Sequence, residues 1–276
     1  MTNQAYNITD LLDIRHKVKV EKPLIHCITN HISINDCANV VLAVGAKPIM
    51  AEHPAEVSQI TTFSQALAVN LGNINDTRMK SIMLSGKAAL EKDIPSIIDI
   101  VGVGCSTLRL DFAKNFILEC HPSVIKGNMS ELKALYGMES SAKGIDVGEK
   151  DSITNDTMLT SIAMLKSLSL QTDSVVAATG VIDIITNGTD TYLIENGCEM
   201  LSMVTGTGCM LNVLTAAFIS NKNIIGGTIL AVALMGICGE LSTNRKGTGT
   251  FRTKLLDSIF SLSDYNLKKK IRCTLT

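Results

Sequence analysis

The chain has no tryptophan and only ten aromatic side chains, six Phe and four Tyr, among 276 residues, so its core must be aliphatic. Charge of one sign is missing too. With 25 Lys and Arg against 26 Asp and Glu, the net charge of −1 excludes a nucleic-acid binder that works by neutralising phosphates. No apolar run reaches the roughly 20 residues of a bilayer crossing. The most apolar stretch, Ile224 to Cys238, is closed by Glu240 and reads as a buried core helix, so no membrane partner is expected. The first twenty residues hold Asp10, Asp13, Arg15 and Lys17 and no apolar block, which argues against a secretory signal. Eight cysteines occur without a C-x-x-C pair, as in the reducing cytoplasm, where Cys serves as a small buried hydrophobe.

Several chemical signatures are absent as well. Gly86-Lys87 is followed by Ala88 and lacks the upstream glycine of a P-loop. Gly102-x-Gly104 has Thr107 where a dinucleotide fingerprint needs its third glycine. The five histidines show no metal-ligand spacing, and His26, His31 and His53 read as locally bonded residues without a role. A Walker ATPase, a Rossmann dehydrogenase and a zinc enzyme are therefore not expected.

What is present is an alternation. Short β-branched runs at Leu24–Ile28, Leu67–Leu71, Ile97–Val103, Ser123–Lys126, Val175–Thr179 and Val181–Thr186 are separated by stretches of helical period. Those stretches include Glu56–Gln65, Arg78–Leu90, Leu108–Glu119 and Thr157–Leu168. This is the pattern of βα units on a central, mostly parallel sheet covered by helices on both faces, an α/β fold. Asn187-Gly188, ahead of Thr191–Ile194, reads as a hairpin turn, and after Met203 the chain is almost wholly helical. The polar stretch Ser140–Asp156 fits a surface excursion better than a linker, so residues 1–276 are expected to form a single domain.

Several segments carry possible chemistry. Val204-Thr205-Gly206-Thr207-Gly208-Cys209 leads straight into an apolar helix, where bare amides and the helix dipole can hold phosphoryl oxygens. An ordinary Gly-rich turn with Thr as cap explains the same residues. Lys126-Gly127-Asn128-Met129-Ser130-Glu131 follows a strand, at the end where open α/β sheets bind ligands. There Lys126 could neutralise polyphosphate and Glu131 could hold Mg²⁺ through water, or Asn128 could simply cap a helix. Asp99 ends another strand and could join Glu131 around the ion, or serve a turn. Thr179-Gly180 could meet a nucleotide or be only a turn. Pro23–Asn30 runs from a strand into a polar end, and Gly45–Met50 follows as a second tight approach whose Met50 could pack against a sulfur-containing or aromatic ring or simply fill the core.

Together these segments resemble the hydroxyethylthiazole kinase family of the ribokinase-like superfamily. The matching stretches are His26–Asn30, Gly45–Met50, Asn70-Leu71-Gly72, Asp99–Gly104, Ile125–Glu131, Thr179–Asp183 and Val204–Cys209, in the family's order. The last is the most specific, because most superfamily kinases carry a catalytic Asp where this chain has Cys209. The resemblance implies a ribokinase-like fold and ATP-dependent, Mg²⁺-dependent phosphorylation of 4-methyl-5-(2-hydroxyethyl)thiazole, a thiamine salvage step, by a homotrimer with active sites between subunits. It also implies that Met50, Asn30 and Gly72 line the thiazole pocket and that Gly206 approaches the hydroxyethyl arm. Lys126, Thr179 and Gly208 would contact ATP, Asp99 and Glu131 would organise the metal, and Cys209 would stand beside the substrate hydroxyl.

The chain departs from the family in having Ile100 after Asp99 where Pro is common. It has Lys126 where some members have Arg, and no Pro in Gly247–Phe251. A helix start should lower the pKa of Cys209, against the effect of a nearby γ-phosphate. The alternatives are a hydroxymethylpyrimidine kinase, a nucleotide-dependent hydrate dehydratase or a non-catalytic nucleotide or thiazole sensor. The first two use a carboxylate at position 209.

Overall fold

The structure, a computed structural model, describes residues 6–138, 155–243 and 246–276. Of the polar stretch 140–156, residues 140–154 lie outside that description. One nine-stranded sheet runs in the order β2-β1-β3-β4-β5-β6-β7-β8-β9. Its strands are β1 (Leu24–Ile28), β2 (Lys47–Ile49), β3 (Ala66–Asn70), β4 (Ser96–Asp99), β5 (Val124–Asn128), β6 (Val175–Thr179), β7 (Asp183–Thr186), β8 (Thr191–Ile194) and β9 (Cys273–Leu275). From β2 to β6 all pairs are parallel, and from β6 to β9 all are antiparallel.

Alternation within the strands divides the core in two. Cys27, Ala66, Ala68, Ile97, Val124 and Ala177 face one layer, while Leu67, Val69, Ile98, Ile125, Val176 and Ala178 face the other. The first layer holds α1 (Ile8–Glu21), α2 (Ile34–Ala43), α8 (Thr207–Ile219), α9 (Ile224–Ser242), α10 (Thr248–Ser261) and α11 (Asp264–Lys270). The second holds α3 (Val57–Phe63), α4 (Asp76–Glu91), α5 (Thr107–Cys120), α6 (Met129–Tyr136) and α7 (Asn155–Thr172). Small residues of β3 on the first face, Ala66 and Ala68, leave room for α8 to lie close to the sheet. By length and composition α9 could cross a membrane, but 78% of its most apolar window is buried inside the protein, as a core helix requires.

Several boundaries differ from the expectation: β3 runs Ala66–Asn70 rather than Leu67–Leu71, and β5 runs Val124–Asn128 rather than Ser123–Lys126. β4 stops at Asp99, because the chain turns through Gly102 at φ +79° into a short 3-10 turn, Val103–Cys105. β7 begins at Asp183 rather than Val181, which is 94% exposed. The largely helical C-terminal region also ends in a strand, β9, paired with β8. At the β7–β8 hairpin, Gly188 takes φ +88° and the Asn187 side chain accepts from the amides of Thr189 and Asp190, so the tip spans four residues.

Candidate active site

The parallel strands all end at one edge, and that edge collects the polar residues singled out above. Asp99 closes β4 and is 3% exposed. Its Oδ2 accepts from Lys126 Nζ of β5 at 2.8 Å and from Asn70 Nδ2 of β3 at 2.9 Å. Burial alone would push the Lys126 ammonium down. The charge and hydrogen bond of Asp99, with Glu131 behind, outweigh this and raise it, so Lys126 is a buried cation at neutral pH.

Glu131 sits in the first turn of α6 as half of a capping box. Its Oε2 accepts from the Asn128 amide at 2.8 Å and the Asn128 side chain accepts from the Glu131 amide. Its other oxygen accepts from the amide of Gly102 at 2.8 Å. The cap and the candidate ligand are thus the same residue. Burial, then the nearby charge of Asp99, push the Glu131 carboxyl up to about 7, against those amides and Lys126. Glu131 and Asp99 are two buried carboxylates whose mutual repulsion one cation only partly offsets. Among the described residues no group of three His, Cys, Asp or Glu forms a metal cage. That donor set fits Mg²⁺, which takes one or two carboxylates and fills its remaining positions with water and phosphate.

Opposite this pair stands the start of α8. Gly206 is its N-cap at φ +90°, where an L side chain is strained, and a Cβ there would lie 2.7 Å from Ser33 Cβ. Having no side chain, Gly206 cannot cap the helix. The first helical bond is Met210 N to Gly206 O at 2.8 Å, which leaves the amides of Thr207, Gly208 and Cys209 without a helical partner. A Cβ added at Gly208 would meet only Lys126 Nζ, at 3.5 Å. Open space therefore lies over bare amides, beside a buried cation.

Cys209, half-buried, accepts from Asn70 Nδ2 at 3.6 Å. Its thiol pKa is raised, contrary to the lowering expected at a helix start. Burial and then the charge of Asp99 disfavour the thiolate more than Ser33, Lys126 and Asn70 favour it. Asn70 is fully buried and joins the two sides of the site, and its Oδ1 accepts from the Gly72 amide at 2.8 Å. A Cβ at Gly72 would stand 2.7 Å from Asn30 Nδ2 and 2.8 Å from Asn70 Oδ1. Asn30, Gly72, Asn70, Cys209 and Asp99 thus form one chain of neighbours, to which Gly206 is joined through Ser33. Met50 follows the end of the edge strand β2, which runs parallel to β1, and is half-buried against the first core layer.

On the other side of Gly208 opens a cavity of about 720 Å³. Thr179, Gly180, Asp183, Asn128 and Gly208 line its polar mouth, and Leu211, Val232 and Met235 line its apolar depth. Thr179 is held by a long bond to Gly127 O at 3.4 Å, and the Asp183 carboxyl, pushed up to about 7 by burial, accepts from the Gly180 amide at 2.8 Å. A smaller cavity of about 240 Å³, near Asp93, His121 and Lys222, lies at the opposite ends of the strands. His26 Nε2 donates to Ala51 O and its Nδ1 shares a hydrogen bond with Thr61 Oγ1, both 2.8 Å, as in a satisfied core histidine.

Two residues escaped the sequence reading. Asn70 lay within a motif stretch without a role, and nothing local marks it as the bridge between residues 99 and 209. Arg78, 1% exposed on α4, donates to the carbonyls of Gly72 (2.7 Å), Asn73 (3.0 Å) and Thr29 (2.7 Å), tying together the loops that carry Gly72 and Asn30. Its place in a helical period hides that work.

Comparison with known proteins agrees with this arrangement. Hydroxyethylthiazole kinase 2 of Clostridium botulinum strain Hall is 67% identical over 261 residues, 95% of this chain and 98% of the relative. The structure of a hydroxyethylthiazole kinase protein from Pyrococcus horikoshii superposes with a TM-score of 0.87 at 26% identity, covering 97% of this chain and 99% of that one. A ribokinase-like superfamily protein from Enterococcus faecalis shares the fold alone, with a TM-score of 0.61 at 15% identity over 91% of this chain and 89% of that one. A family model described as the hydroxyethylthiazole kinase family matches residues 15–265, and with these likenesses it shows that the chain belongs to that family.

Proposed function

We propose that the protein transfers the γ-phosphoryl group of ATP to the primary alcohol of 4-methyl-5-(2-hydroxyethyl)thiazole, a step of thiamine salvage. The observation that carries this reading is the open space over the bare amides of Thr207, Gly208 and Cys209, next to Lys126 Nζ. It lies between a nucleotide-sized cavity and the cluster of Asn30, Gly72 and Cys209.

In this reading ATP enters the 720 Å³ cavity past Thr179, with its base toward Leu211, Val232 and Met235 and its phosphates toward Gly208. The alcohol lies on the far side of the cradle, its ring near Met50, Asn30 and Gly72 and its arm near Gly206. The hydroxyl oxygen attacks the γ-phosphorus, a new P–O bond forms, and the bond to the β-phosphate oxygen breaks, releasing ADP. The three amides stabilise charge on the transferred group, while Lys126, pinned by Asp99, neutralises it without side-chain rearrangement. Asp99 and Glu131 would hold Mg²⁺ mostly through water, and the ion supplies charge neutralisation on the phosphates. Because its thiol is kept protonated, Cys209 acts by position and hydrogen bonding beside the hydroxyl. The alcohol proton stays in place until the new P–O bond is largely formed, and then passes to an oxygen of the transferred phosphoryl group.

The reading extends to a single-domain, cytoplasmic protein that works as a homotrimer. Met50 at the open edge of the sheet and the half-exposed Asn30 support a pocket that a second copy would enclose. An ADP-release assay with ATP, Mg²⁺ and a panel of the thiazole alcohol, hydroxymethylpyrimidine and ribose tests the proposal. ADP is expected with the thiazole alcohol. Release with the pyrimidine alone would overturn the substrate, and nucleotide binding without turnover would make the protein a sensor.

A further inference from the structure

The mechanism leaves Glu240 and Arg272 unused, yet both act on one wall of the larger cavity. Beyond β8, residues Glu195, Asn196, Gly197 and Cys198 run along that wall as an extended strap. The strap passes α9 so closely that a Cβ at Gly236 would collide with the Asn196 carbonyl. One turn further along α9, Glu240 Oε1 accepts from the Gly197 amide at 3.0 Å and from Asn196 Nδ2 at 3.3 Å. Asn196, 3% exposed, also donates to Lys270 O at 2.9 Å and accepts from the Arg272 amide at 2.8 Å. The Arg272 guanidinium closes the circuit, donating to Glu240 Oε1 at 2.6 Å and to Glu195 O at 2.5 Å. Burial would raise the Glu240 carboxyl, but Arg272, Gly197 and Asn196 outweigh it and lower it, so the pair is ionic at neutral pH.

A single carboxylate thereby ties together the cavity wall, the core helix α9 and the residues leading into β9. None of these bonds reaches the cradle or the thiazole-side cluster. The strap leaves β8 at Ile194, which pairs with Asp183, and lines the cavity together with Thr179 and Gly180, so its position bears on the space available to a flat base and its sugar.

We propose that Glu240, paired with Arg272, is a positioning residue for the nucleoside triphosphate, holding the 195–198 strap at the spacing the nucleotide requires. The inference rests on reading this cavity as the ATP site. Steady-state kinetics of wild type, Glu240→Ala, Glu240→Gln and Arg272→Met test it, together with binding of a fluorescent ADP analogue. In Glu240→Ala the KM for ATP and the Kd for the analogue should rise on the order of tenfold, the effect of losing a charge-assisted anchor. The KM for the thiazole alcohol, and kcat at saturating ATP, should stay within about twofold. Glu240→Gln keeps an acceptor for Gly197 and should fall between wild type and Ala. A purely structural role would lower the melting temperature and the active fraction without moving the ATP KM, and would overturn the proposal. So would unchanged KM values in Arg272→Met and Glu240→Gln, which decide the matter if the alanine variant does not fold. A wild type that neither binds the analogue nor forms ADP would instead sink the reading of the site.

Discussion

Gly208→Ala separates the cradle from the fold. Gly208 occupies the second helical position of α8 without a positive φ, and the added methyl would touch only Lys126 Nζ, at an ordinary 3.5 Å. Alanine is favoured over glycine in a helix by roughly 0.5–1 kcal/mol, partly because it restricts the unfolded chain. For a protein of this size 1 kcal/mol moves Tm by roughly 2–4 °C. The variant should therefore melt at the wild-type temperature or slightly above it. Its activity should go the other way. The methyl fills the space through which phosphoryl oxygens reach the amides of Thr207 and Cys209. Loss of one preorganised donor costs about 10²–10³ in kcat, or roughly 3–4 kcal/mol of transition-state stabilisation.

Gly206→Ala is the matched control. Its φ of +90° costs an L side chain about 1–2 kcal/mol, and its Cβ would press on Ser33 at 2.7 Å, so stability and activity should fall together. Differential scanning fluorimetry and ADP release on the two variants give the comparison. If Gly208→Ala retains kcat/KM within about threefold of wild type, one preorganised amide is worth far too little here, and the phosphoryl group does not rest on this turn.

Other perturbations probe the rest of the site. Lys126→Met leaves Asp99 buried with Asn70 as its remaining partner, which should cost roughly 3–5 kcal/mol and most of the turnover. Unchanged denaturant midpoints would show that the pair is not carrying buried charge. Cys209→Ser, which keeps a hydrogen-bonding group near Asn70, should lower kcat moderately. Cys209→Asp places a carboxylate in the field of Asp99, raising its pKa toward a useful base, so activity should be kept or increased. A folded Cys209→Asp protein with no turnover would contradict this. The fourth prediction concerns pH. Glu131 is raised from 4.5 to about 7, so its contribution to stability is complete below 4.5 and lost as pH rises through 7, on the order of 3 kcal/mol. Asp183 adds a second loss in nearly the same window. Glu131→Gln should flatten the fall of stability between pH 4.5 and 7, and an equally steep profile in that variant would refute the assignment.

The strands that could be read from sequence were those buried on both faces. β1, β6 and β8 have the expected bounds, because runs such as Val175–Ala178 are apolar at every position and end at a polar residue and a turn. β2 and β9 were not legible. Each has three residues, and Lys47-Pro48-Ile49 and Cys273–Leu275 reach the sheet only by pairing with β1 and β8. The cradle was legible because its chemistry belongs to the backbone, and two glycines before an apolar helix announce it locally. The site's side chains were legible as types at strand ends, while their partners were not. Nothing in residues 66–72 says that Asn70 will meet Asp99 and Cys209, and a helical Arg78 or Glu240 resembles any solvated charge until its neighbours are known. The pKa of Cys209 failed for the same reason. The helix start is visible in sequence, but the burial and the facing Asp99 that overrule it are tertiary.

Why the cradle lands beside Asp99 rather than elsewhere along the edge follows from how α8 is seated. The strand residues beneath it are small, which lets the helix approach β3 closely enough for Asn212 Nδ2, fully buried, to donate to Val69 O at 3.0 Å. An aliphatic interface alone fixes such a helix loosely, since Leu and Ala contacts are similar after a slip of one turn, whereas a buried donor has one low-energy position. Cys209 lies three residues before Asn212, one turn toward the helix start, and Asn70 lies one residue beyond Val69. The hydrogen bond at 212 therefore brings Cys209 to Asn70, and Asn70 in turn to Asp99. A single buried amide in the core sets the register of the helix whose bare end receives the phosphoryl group.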